Sequence, residues 1–209
     1  MPQLTAPNVL AAARESLSRR LNFNDFLTRL TPKDRQNAEK RVTALEAEPN
    51  PDSVRLWQRL ACTMMSLAPH STKFVGKQTV QFYVADGKYR MQVFALEDVQ
   101  DGNITVFCPD VLDEAVAAGV LARTSKGEEH SYTTKSTKEP LNIEALNGRS
   151  LNPAAHFKDL LGWNRKAIRI VLPASPSAAQ VEATELLCAM AAQHFAPPAA
   201  ATAAAKASS

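Results

Sequence analysis

The chain has 209 residues, 45% hydrophobic and 22% charged. That is enough apolar side chain for a packed core and argues against global disorder. Its 24 basic and 21 acidic residues leave a formal net charge of +3, which permits an acidic partner but lacks the clustered excess of DNA-binding modules. No run approaches the roughly 20 apolar residues that a membrane-spanning helix needs.

The opening segment, MPQLTAPNVLAAARESLSRRLNF, has no basic stretch followed by an apolar run, so a secretory signal is not expected. Arg14, Arg19 and Arg20 beside Ser16 and Ser18 give it a faint presequence character. A first amphipathic helix is the simpler reading, with Val9, Leu10, Ala13, Leu17 and Leu21 at helical spacing. Thr31-Pro32-Lys33-Asp34 then supplies a cap, a first-turn proline and an acidic residue for a polar surface helix to about Ala47. Its apolar stripe is only Ala38, Val42 and Leu45. After EPNPDS, the residues Val54, Trp57, Leu60, Ala61, Met64 and Leu67 predict a helix buried on one side and ending before Pro69.

The apolar period now changes from 3.6 to 2. In TVQFYVADGKYRMQVF, Asp86-Gly87 suits a two-residue type I′ turn, because both residues tolerate positive φ. Counting outward pairs Val84 with Tyr89, Phe82 with Met91 and Val80 with Val93 on an apolar face. Tyr83 with Arg90 and Gln81 with Gln92 fall on a polar face, with Lys88 near the turn. ITVFCP continues as a strand, followed by a short helix ending at Gly119. TSKGEEHSYTTKSTKEP reads as a loop with a weak strand at 131–135, and LNIEAL as a further strand. Asn152, Pro153 and Gly162 bracket another helix, and AIRIVLP makes a strand. A last helix starting at Ser175-Pro176 carries Val181, Thr184, Leu187, Cys188, Ala191 and Phe195. The expected fold class is α+β: N-terminal helices and a C-terminal helix packed on a mainly antiparallel sheet of four to five strands. Residues 1–68 form the helical region, 69–195 the α+β domain, and 196–209 an Ala/Pro-rich disordered tail.

Two groups of residues are candidates for binding. His156, Lys158, Arg165, Lys166 and Arg169 gather around Trp163 and could hold an anion or an anionic substrate. Cations also complement the negative end of a helix dipole, so Arg165 and Lys166 have a structural reason to follow Gly162. The second group is the polar face of the hairpin, where Tyr83, Lys88, Arg90 and Phe107 could stack bases and meet phosphates of single-stranded nucleic acid. A solvated or helix-covered face would carry the same residues, and no RNP, KH or zinc-finger spacing supports the sharper reading.

Catalytic and metal patterns are weak. Cys108 shares the side of Ile104 and Val106, which favours an inert buried thiol over a nucleophile served by His156 or His130. The histidines His70, His130, His156 and His194 are scattered, and Cys62, Cys108 and Cys188 form neither a CxxC site nor a disulfide framework. Asp110, Asp113 and Glu114 fit the N-terminal dipole of the helix they begin. No cofactor motif is present: there is no GxGxxG, P-loop or GxSxG. The expectation is a cytoplasmic, non-enzymatic binding or adaptor protein with a mild preference for acidic partners, and no membrane role. A small-molecule enzyme using the 156–169 residues and a nucleic-acid binder using the 80–93 hairpin are the alternatives.

Overall fold

The computed structural model describes residues 6–47, 52–76, 78–86, 89–98, 102–125, 131–146 and 167–194. The helix expected at 152–162 and the tail at 196–209 lie outside these residues. Four helices come first: α1 (Ala6–Ser18), α2 (Phe23–Arg29), α3 (Pro32–Glu46) and α4 (Asp52–Leu67). Strands β1 (Ser71–Val75), β2 (Thr79–Asp86), β3 (Tyr89–Asp98) and β4 (Ile104–Pro109) follow. Then come α5 (Leu112–Ala117), β5 (Leu121–Arg123), β6 (Tyr132–Thr134), β7 (Pro140–Leu146), β8 (Ala167–Leu172) and α6 (Ala178–Gln193).

The eight strands form one sheet in the order β1-β2-β3-β4-β8-β7-β6-β5, with every pairing antiparallel. The α+β class is therefore right and the expected four to five strands are too few. β1 was missed because an edge strand buries neither face fully and shows no clean alternation. β5 has three residues, too few to display a period. The order also reveals two four-stranded meanders, β1–β4 and β5–β8, that meet antiparallel at β4 and β8. No sequence repeat marks this doubling.

Local chemistry explains the helix boundaries. Thr31 caps α3 by accepting from the Asp34 amide, with Pro32 at the first position, as its sequence predicts. Asn22 caps α2 in the same way. α6 begins at Ala178, later than Ser175-Pro176 implied, because Ser177 and Gln180 form a reciprocal capping box. Gly119 has φ +73°, which lets the chain leave α5 in the left-handed region closed to most side chains.

One core holds the helices to the sheet. It joins Ala13 of α1, Phe26 of α2, Leu45 of α3, and Trp57 and Leu60 of α4 to Val80, Phe82, Leu96, Val106 and Ile170 of the sheet. Trp57 receives the edges of Phe23 and Phe26 at centroid distances of 6.4 and 6.3 Å, and those two rings stack at 5.5 Å. Such pairs add about 0.5–1.5 kcal/mol beyond the area they bury. α6 is apolar nearly all round, since it packs on the sheet and is itself covered by α1 and α4.

Two buried charges are held by arginines. Glu185 of α6 is 3% exposed and accepts from Arg59 at 2.6 and 3.0 Å, from Arg20 at 2.7 Å and from Thr63 at 2.8 Å. This carboxylate ties α6 to α4 and to the end of α1, and its hydrogen bond raises the Arg59 pKa. Asp98 at the end of β3 pairs with Arg41 of α3.

The hairpin needs a correction. Asp86 pairs with Tyr89, Ala85 with Arg90, Val84 with Met91 and Tyr83 with Gln92, and then Phe82 pairs with Phe94 and Val80 with Leu96. The link is therefore 87–88 rather than 86–87, and Val93 is an extra residue opposite the Phe82/Tyr83 step. Near the turn, each backbone pairing has moved by two residues, an even shift that preserves the two-residue alternation. The apolar/polar agreement could not detect that slip. The bulge then adds one residue, placing Phe94 and Leu96 against the helices.

Candidate functional site: the outer face of the sheet

Alternation along the strands assigns the remaining residues to the face turned away from the helices. Cross-strand pairing arranges them in rows. One row runs Lys73, Gln81, Ala95, Phe107, Arg169, Glu144 across β1, β2, β3, β4, β8 and β7. A second runs Val75, Thr79, Glu97, Thr105, Val171, Asn142 across the same strands. A third is Ser71, Tyr83, Gln92.

This face is open at one end and closed at the other. On β7, Asn142 and Glu144 are exposed, whereas on β2–β4 the residues Gln81, Tyr83, Gln92, Ala95, Thr105 and Phe107 are all buried. Tyr83, Ala95 and Phe107 are nevertheless missing from the core that the helices share with the sheet. Their burial is still complete or nearly so within this single chain.

The closed end is polar and unsatisfied. Tyr83 donates its hydroxyl to Oε1 of Gln81 at 2.8 Å. Gln81 Nε2, Gln92 Nε2, Thr105 Oγ1 and Ser71 Oγ are buried without a hydrogen-bond partner. All four belong to this one face of β1–β4. Elsewhere among the described residues, outside the Arg41–Asp98 ion pair, the one such atom is Trp57 Nε1. Buried polar groups are nearly always paired, and each unpaired one costs about 1–3 kcal/mol. Their concentration on one face is the feature that singles it out.

The residues proposed from sequence are distributed unevenly. Tyr83 and Phe107 lie on this face as expected. Arg90 is placed only by its backbone pairing with Ala85, and Lys88 lies outside the described residues. Of the anion-pocket set, His156, Lys158, Arg165 and Lys166 are also outside them. Arg169 stands on β8 as the cross-strand partner of Phe107 and pairs with Glu144 at 3.4 Å. The fold thus joins one member of each candidate group. Ser71 and Thr105 were missed, and Gln81 and Gln92 were seen only as polar hairpin positions. Their signal was a glutamine inside an otherwise apolar strand, which sequence alone reads as solvated.

Cys108 faces the helices and hydrogen-bonds the Cys188 thiol, which together with burial raises its pKa well above the ordinary thiol value. Burial raises Cys62 to about 11. All three cysteines are free and buried, so the inert-thiol reading of Cys108 fits its surroundings. Asp110 accepts from the Leu112 amide, while Asp113 and Glu114 pair with Arg123 and His194. Among the described residues, no group of three or more His, Cys, Asp or Glu could hold a metal, and no helix is long and apolar enough to cross a membrane. Comparison with protein-family models, with curated proteins and with solved structures gave no match.

Proposed function

We propose that this is a non-enzymatic binding or adaptor protein whose binding surface is the outer face of the sheet, met at its accessible residues Lys73, Asn142, Glu144 and Arg169. The observation that carries the reading is the set of four unpaired buried polar atoms on Ser71, Gln81, Gln92 and Thr105. Buried donors without acceptors are costly in the isolated chain, which sets this polar face apart from the helix-packed one.

Its described charges balance. Lys73 and Arg169 oppose Glu97 and Glu144 along the two longer rows. The acidic preference suggested by the net charge therefore has no support at this surface, and a polyanion such as nucleic acid has less.

The test compares partners retained from native extract by the wild type and by three variants. Arg169→Glu reverses the charge beside Glu144 and Lys73→Glu reverses that at the β1 end of the long row. Lys40→Glu on the exposed side of α3 is the control. A partner lost from both outer-face variants and kept by the control supports the reading, with circular dichroism confirming folding. A partner set identical in all three contradicts it.

A further inference from the structure

We draw no further inference here: the strongest candidate, the buried thiol pair of Cys108 on β4 and Cys188 on α6, is marked only by the raised pKa of Cys108, and nothing in the structure shows how an oxidant would reach it in a core that α1 and α4 close over α6.

Discussion

The Tyr83 hydroxyl donates to Oε1 of Gln81 across 2.8 Å, between side chains two residues apart on β2. That contact fixes the direction of the Gln81 carboxamide and leaves its Nε2 facing a place where nothing accepts. The same condition holds on β3 at Gln92, the cross-strand partner of Tyr83. Two glutamines on adjacent strands are thus buried, each with an unpaired side-chain nitrogen.

Removing such a group should strengthen the isolated chain. Methionine matches glutamine in length and has no donor to leave unpaired, so Gln92→Met is expected to stabilise by about 1 kcal/mol. For a chain of this size that raises Tm by about 2–4 °C. A thermal melt measures it, and a lower Tm would mean that Gln92 Nε2 is satisfied in solution.

Glu185 should behave in the opposite way. Its carboxylate is 3% exposed and is held by Arg59, Arg20 and Thr63. Arg59→Ala removes two of the four hydrogen bonds to this buried carboxylate and is expected to cost about 3 kcal/mol. Arg20→Ala leaves Arg59 and Thr63 in place and should cost about 1 kcal/mol. Urea titration gives both values, and equal costs would show that Arg59 is not the main partner.

The thiols should be silent in the native protein. Burial and the contact with Cys188 raise Cys108, and burial raises Cys62 to about 11. A chromogenic disulfide reagent at pH 8 is expected to report no fast-reacting thiol among Cys62, Cys108 and Cys188, and three after denaturation. A fast native reaction at Cys108 would revive a nucleophilic role.

Acid should loosen the start of α6. Glu139 accepts from Ser177, the cap of that helix, and from Thr137, and both bonds lower its pKa. A carboxylate depressed by folding stabilises the native state above its unfolded pKa. That contribution is lost as pH falls through the lower, folded value. Amide exchange at the first turn of α6 should therefore speed up below the ordinary carboxylate range in the wild type. In Glu139→Gln the acid-dependent part of that increase should disappear.

How much of this was legible depended on the length scale of each signal. Thr31-Pro32-Lys33-Asp34 declared the start of α3 because a cap is a local event. The faces of β2 and β3 were legible because alternation survives a shift of two residues, and the register was not, for the same reason. The bulge at Val93 has no local signature; it follows from which of Val93, Phe94 and Leu96 the helices can accommodate. β1 and β5 were hidden by half-burial and by shortness. At the site, Tyr83 and Phe107 showed themselves through their rings. Ser71, Gln81, Gln92 and Thr105 did not, since polar side chains on a strand are ordinarily taken as wet. Only the burial of both faces of the β2–β4 sheet exposes the contradiction.

The central claim is that a partner engages the outer face of the sheet, and fluorine NMR tests it most directly. The chain has three tyrosines, so replacement by 3-fluorotyrosine gives three resonances, with Tyr83→Phe identifying that of Tyr83. On titration with the partner recovered from native extract, the account predicts that the resonance of Tyr83, in the row beside Lys73 and Gln81, moves and saturates with binding, while that of Tyr132 on β6 stays. A saturated complex in which Tyr83 does not move would contradict it.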